Sequence, residues 1–132
     1  MSETVKQEII GSVSKITLNR PESLNAIDQV LASELRAEIL SAEMNNDVRC
    51  VVLKGSGPAF MAGGDIRAFS ERLDQGLDRY MLDLTHDLHD AIISIRRMPK
   101  PVVASVHGAA AGAGFSLAMA CDMVIAADNS TF

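Results

Sequence analysis

The sequence predicts an α/β fold with a largely parallel sheet, and three observations predict it. After residue 28, β-branched apolar runs alternate with stretches of helical periodicity, the order that builds parallel sheets. Cys50-Val51-Val52-Leu53 is a short continuous apolar run, as expected of a strand covered on both faces, and Val102 to Val106 is a second buried run. Each of these two runs leads through a turn of small residues into a helix.

Taken in order, Val5 to Ile10 and Val13 to Leu18 are β-branched and separated by Gly11-Ser12, which marks a tight turn between two strands. Asn19-Arg20-Pro21 ends the second strand. Asp28 is a good N-cap for a helix reaching to about Asn45, with Ile27, Leu31, Leu35 and Ile39 on its buried side. Gly55-Ser56-Gly57-Pro58 is a loop, and a second helix starts near Asp65. Leu77, Met81, Leu84, Leu88, Ala91, Ile95 and Met98 form a near-heptad stripe on the longest helix, with the methionines in the core. Pro99-Lys100-Pro101 terminates it. A Gly/Ala-rich turn, Gly108 to Gly114, follows the strand Val102 to Val106. A short helix from about Gly112 to Ala120 then leads into a strand at Met123 to Ala127. No internal repeat or linker divides residues 1–132, which read as one domain.

Composition bounds the function. With 48% hydrophobic and 22% charged residues, the chain has the make-up of a folded globular domain. A formal charge of −5 argues against nucleic acid or an anionic membrane as partner, yet a local cluster of N–H groups can still hold an anionic small ligand. Cys50 and Cys121 sit beside apolar runs and read as buried reduced thiols; nothing in their spacing suggests a metal site. No stretch reaches the length of a membrane span, and Met1-Ser2-Glu3-Thr4 does not begin a signal peptide, so a cytoplasmic location is expected.

The two small-residue turns attract most attention. Val51-Val52-Leu53-Lys54 precedes Ala62-Gly63-Gly64-Asp65, and Val102-Val103-Ala104-Ser105 precedes Ala111-Gly112-Ala113-Gly114. Without side chains, a ligand can approach the backbone closely. A helix start leaves N–H groups unpaired. Two such ends facing one spot would suit a carbonyl oxygen that becomes negative during reaction, while close helix–strand packing would explain the small residues equally well. Three rival motifs stay in view. Gly112-Ala113-Gly114 opens a dinucleotide fingerprint, with Asp128 near the next strand's end, but Leu117 stands where the third glycine belongs. Gly114-Phe115-Ser116-Leu117-Ala118 nearly spells a nucleophile elbow, with His107 upstream, but lacks the final glycine. His86 and His89, interleaved with Asp87 and Asp90, could suggest metal, but such a charge run reads more simply as a solvated helix face.

Several ordered segments together resemble one known family. Asn19-Arg20-Pro21-Glu22-Ser23-Leu24-Asn25-Ala26-Ile27 is similar to the N-terminal signature of the crotonase superfamily, the enoyl-CoA hydratase/isomerase group. Val51 through Ile66, with Ala62-Gly63-Gly64-Asp65-Ile66 at its end, resembles that family's first oxyanion segment, and Pro99 through Gly114 resembles its second. The likeness continues through Ser116 to Asp122 and Val124 to Ala127, so it covers nearly the whole chain. The pattern Ala110-Ala111-Gly112-Ala113-Gly114 with Ser116 looks closest to the epoxyphenylacetyl-CoA isomerase branch.

The resemblance implies a spiral of ββα units, here an N-terminal acyl-CoA-binding core over 1–132 that stops before the C-terminal part. It implies an acyl-CoA thioester as partner, trimers or pairs of trimers for the complete protein, and stabilisation of a thioester enolate. No metal or redox cofactor is implied, CoA arriving as part of the substrate. By position, the two N–H donors carry over to Gly64 and Ala113, and Ala62, Asp65, Ile66 and Arg67 to the stretch lining the CoA site. Arg67 would meet a phosphate. His89 falls where some members place an active-site histidine, and Ser116 where many hydratases have a glutamate. The family's other acid lies beyond Phe132, and Ser130-Thr131-Phe132 reads as a cut end. The alternative is therefore a catalytically incomplete acyl-CoA-binding or assembly fragment.

Overall fold

A computed structural model describes residues 3–132; Met1 and Ser2, on which the reading of the chain's start partly rests, lie outside the described residues. The strands β1 (Val5–Ile10) and β2 (Val13–Leu18) pair antiparallel in a hairpin, with Gly11 at φ +60 in its two-residue loop. From β2 onward every pairing is parallel: β3 (Cys50–Gly55), β4 (Val102–Val106) and β5 (Met123–Ala126) follow in the sheet order β1-β2-β3-β4-β5. The helices that join them are α1 (Gln29–Met44), α2 (Ile66–Ser70), α3 (Leu77–Arg97) and α4 (Ala113–Ala120).

Local chemistry explains where the helices start and stop. Asp28 caps α1, its Oδ1 accepting the Leu31 N–H at 2.8 Å, and the Tyr80 hydroxyl oxygen accepts the Gln29 N–H at 2.9 Å. At the other end of α1, the Lys100 ammonium donates to the Ala42, Glu43 and Asn45 carbonyls at 2.7, 2.9 and 2.6 Å. These are carbonyls that the helix itself leaves without partners. One turn was not foreseen: Pro21–Ser23 forms a 3-10 turn followed by Leu24 and Asn25, both left-handed at φ 54 and 55. Asn25 tolerates that backbone because its buried amide is fully used. Its Oδ1 accepts the Arg20 N–H at 2.7 Å, and its Nδ2 donates to the Ser56 and Ala59 carbonyls at 2.9 and 2.8 Å.

The core forms where α1 and α3 pack together against the sheet. Leu31, Leu35 and Ile39 of α1 are fully buried, as is Ile27 before it, and Leu84, Leu88, Ala91 and Ile95 of α3 are buried with them. On α3 the stripe holds from Leu84 onward; Leu77 and Met81 are only half-buried. Alternate strand residues, Ile16 and Leu18, Val51 and Leu53, Val102 and Ala104, point into the same core. The opposite parity corrects an expectation. Val52 is half-buried, not covered on both sides, and Met123 and Ile125 are 53% and 67% exposed on that face. Both large helices lie on one side, so the apolar run at 50–53 reflects one covered face and one partly open face. Cysteine follows the same division. Cys121 is buried, and burial, with the Asp122 charge adding, pushes its thiol up to about 12, whereas Cys50 is only half-buried; both are free.

Candidate functional site

Both small-residue turns emerge beyond the carboxyl ends of neighbouring parallel strands, β3 and β4, where open α/β sheets place their ligands. Hydrogen bonds lash the two turns together. Phe60 N–H donates to the His107 carbonyl at 2.9 Å, Met61 N–H to Ala109 at 3.1 Å, and Ala111 N–H to Met61 at 3.0 Å. Between them the backbones touch. A Cβ on Gly112 would stand 3.5 Å from the Gly63 Cα, and one on Gly63 would stand 3.4 Å from the Ala111 carbonyl oxygen. Both glycines hold positive φ, +97 at Gly63 and +53 at Gly112, which L side chains rarely adopt. Close packing of the turns is therefore real.

The N–H inventory then separates donors already engaged from donors left over. Ala62 N–H donates to Leu24 at 3.0 Å and Asp65 N–H to Ile27 at 2.9 Å; Ala110 N–H donates to Thr131 at 2.9 Å and Gly114 N–H to Ala111 at 2.9 Å. Among the described residues, the N–H groups of Gly64 and Ala113 have no protein acceptor, and neither do those of Gly63 and Gly112. Peptide planarity gives the directions. The Gly63 carbonyl accepts the Ile27 N–H at 2.8 Å, so the Gly64 N–H, on the same trans peptide, points away from Ile27. The Gly112 carbonyl accepts the Ser116 N–H at 3.1 Å along α4, so the Ala113 N–H points out of that helix's N-terminus. Helix polarity assists α4, of eight residues, more than α2, which has five.

The Asp65 carboxylate holds the turn to its neighbours. Its Oδ1 caps α2 by accepting the Ala68 N–H at 3.0 Å, and its Oδ2 meets Arg20 Nη2 at 2.9 Å. Burial pushes this carboxyl up, but the Ala68 N–H and the Arg20 guanidinium together hold it below the usual carboxylate range. Arg20 also reaches Asp28 at 3.4 Å and the Ala26 carbonyl at 2.5 Å.

Two cavities adjoin the turns. The first, of about 610 Å³, lies between α1 and α2 and is walled by Arg20, Gln29, Asp65, Arg67, Arg72 and Tyr80 among others. Its walls carry three arginines and four carboxylates, Glu22, Asp28, Asp65 and Glu71. Arg72 lies over the Tyr80 ring at 4.2 Å, and Gln29 Oε1 is buried without a partner among the described residues. The second, of about 630 Å³, is lined by Ala111, Gly112, Phe115, Ser116 and Phe132 and is largely apolar.

Of the residues singled out from the sequence, Asp65 and Arg67 reach the first cavity and Ser116 the second. Arg67 is exposed and paired with Glu71 at 3.4 Å. Ala62 is half-buried beside the turn, Ile66 is 73% exposed, and His89 is exposed on α3; none of the three lines either cavity. His107 donates from Nε2 to the Gly57 carbonyl at 2.6 Å, so it serves a loop and not Ser116. Sequence reasoning gave no role to Arg20, Asn25 and Tyr80, each of which has a partner 31 to 51 residues away. The only hint was their company: Arg20 and Asn25 sit inside the quoted N-terminal segment.

Comparison with known proteins bears on this arrangement. Residues 8–132 match the family model for enoyl-CoA hydratase/isomerase. The chain belongs to this family. A "Probable enoyl-CoA hydratase" of Rhizobium meliloti (strain 1021) is 39% identical over 130 residues, covering 98% of this chain and 48% of that protein. Among solved structures, an enoyl-CoA hydratase from Polaromonas sp. JS666 is 40% identical with a TM-score of 0.87, over 96% of this chain and 49% of that one. An enoyl-CoA hydratase/isomerase from Xanthobacter autotrophicus Py2 is 36% identical with a TM-score of 0.88, over 98% and 48%. The mostly parallel five-stranded sheet thus belongs to the crotonase fold. This member of the enoyl-CoA hydratase/isomerase family spans about half the length of the curated relatives it matches, 42% to 49% of the first four. Among the described residues, no helix is long and apolar enough to cross a membrane.

Proposed function

We propose that the two turns bind the thioester of an acyl-CoA, with the N–H groups of Gly64 and Ala113 donating to its carbonyl oxygen. The single observation that carries this reading is that, among the described residues, both N–H groups lack a protein acceptor while flanking the backbone contact of Gly63 with Gly112. A base that removes the proton next to the thioester leaves an electron pair that spreads onto this oxygen, forming an enolate. The oxygen then carries more charge, so the same two hydrogen bonds strengthen as the reaction proceeds. Loss of one such donor costs roughly 3–4 kcal/mol of barrier.

The cavities suit the two ends of such a ligand. Arg67 and Arg72, at the mouth of the first, would meet the phosphates of the CoA nucleotide, and the apolar second cavity would take the acyl group. Ser116 is the one polar side chain among the second cavity's five lining residues, and none of the five is a carboxylate. A hydroxyl of ordinary acidity handles a water proton poorly, so enolate formation and isomerisation suit this half better than hydration. The complete protein would be cytoplasmic and assemble as trimers or pairs of trimers. A second reading, a catalytically incomplete acyl-CoA-binding or assembly fragment, is favoured by the half-length match to relatives.

The test is a titration of the isotopically labelled chain with crotonyl-CoA. Amide shifts at Gly64 and Ala113 support the proposal. Shifts confined to other regions, or none at millimolar ligand, would overturn it. Exchange of the proton next to the thioester of butyryl-CoA into deuterated water, catalysed by this chain, separates the enzyme from the fragment.

A further inference from the structure

We propose that Arg20 is a positioning residue that clamps the caps of two helices and thereby sets the direction of the Gly64 N–H. Asp28 and Asp65 each divide their work between two oxygens. Oδ1 of Asp28 accepts the Leu31 N–H and caps α1; Oδ1 of Asp65 accepts the Ala68 N–H and caps α2. The Oδ2 atom of each faces the same Arg20 Nη2, at 3.4 and 2.9 Å. Nη1 of Arg20 donates to the Ala26 carbonyl at 2.5 Å, between the two caps. The guanidinium is 15% exposed, and the carboxylates are 18% and 13% exposed, so water screens these contacts only in part.

The clamp lies where it controls the turn. Ile27 N–H to Gly63 and Asp65 N–H to Ile27 are the two bonds that hold Gly64 with its own N–H turned away from Ile27. Their ends, Ala26 to Asp28 on one side and Asp65 on the other, are what Arg20 joins. A planar fork can reach all three acceptors at once; a lysine ammonium on one stem reaches them less completely. The clamp's link to function rests on the acyl-CoA reading above, but its geometry does not.

The test uses two substitutions in the ligand-free chain. Arg20→Gln removes the charge, and Asp65→Asn keeps a competent cap while weakening the ion pair. Amide exchange at Asp65 should quicken by about tenfold or more in Arg20→Gln, less in Asp65→Asn, with Arg20→Lys partly restoring it. The residual dipolar coupling of the Gly64 N–H should change in step, while Val51, Leu53 and Val102 keep wild-type protection. If Arg20→Gln unfolds the chain, Asp65→Asn decides alone. Wild-type couplings and exchange at Gly64 and Asp65 in the folded variants would overturn the clamp. A changed Gly64 vector in a chain whose wild type ignores crotonyl-CoA would keep the clamp and retire the acyl-CoA reading.

Discussion

Ala113 is the first residue of α4, and that position makes it a clean place to remove a donor. Proline is well tolerated at the first helical position, because an N–H there has no intrahelical partner. Ala113→Pro is therefore expected to leave thermal stability within about 1 kcal/mol of wild type. It should abolish the amide response to crotonyl-CoA, whereas Ala113→Gly keeps it. Calorimetry and the titration check the two halves of that statement. Two carboxyls make opposite predictions about acid. Asp65 is held below the ordinary value of 3.8, so its stabilisation is present above that pH and lost as pH falls through its folded value. Glu38 is raised from 4.5 by burial and by the charges of Glu3 and Glu34, so ionising it works against the fold. Its favourable contribution is full below 4.5 and fades as pH rises through its folded value. Glu38→Gln should raise the urea midpoint at neutral pH, and the gain should shrink toward zero below pH 4.5.

At the scale of elements, α1 is secured at both ends by groups remote in sequence. Lys100 satisfies three carbonyls at its C-terminus from 55 to 58 residues away, and Tyr80 supplies its hydroxyl to the first N–H from 51 residues away. Lys100→Met keeps the aliphatic stem and deletes the donors. It is expected to destabilise by about 2 kcal/mol, the range for charged hydrogen bonds whose acceptors are left partly dry. Tyr80→Phe should remove about 1 kcal/mol. Denaturant melts compare them, and exchange at the ends of α1 should rise before exchange in β3 does. The single-turn helix α2 has no buried residue of its own. Its placement depends on the Asp65 cap and the Arg20 contact, so the wall of the first cavity should be the earliest part to open.

The whole molecule has one well-built side and one half-built side. α1 and α3 cover one face of the sheet, while Val52, Val103, Met123 and Ile125 face outward with partial cover. Elsewhere on the surface Phe115, Met119 and Phe132 are 43%, 52% and 60% exposed, and Phe115 meets Phe132 edge-on at 6.1 Å. An apolar surface of this kind promotes association. Ile125→Lys with Met123→Lys is expected to increase the monomer fraction in sedimentation and to change stability by about 0.5 kcal/mol at most. Leu53→Ala, on the covered face of the neighbouring core, should cost about 2–5 kcal/mol. Equal losses for both would show that the outer face is packed after all.

Much of the fold was legible because its signals are local. β-branched runs separated by Gly11-Ser12 give the hairpin, Asp28 and Asp65 announce the helix starts, and Pro99-Lys100-Pro101 stops α3. The order of elements then implies a parallel sheet, and the quoted segments identify the family. Three things were decided only by the tertiary structure. Which face of each strand is covered depends on where α1 and α3 settle, and an apolar run does not encode that. Asp65, which lines the first cavity, also works as a cap held by Arg20, 45 residues away, because a carboxylate's work is set by the donors that surround it. The direction of the Gly64 N–H depends on a bond between Ile27 and Gly63, across a chain separation no local pattern spans. A backbone donor has no side chain to signal its purpose, and packing alone determines whether it is turned inward, spent or left free.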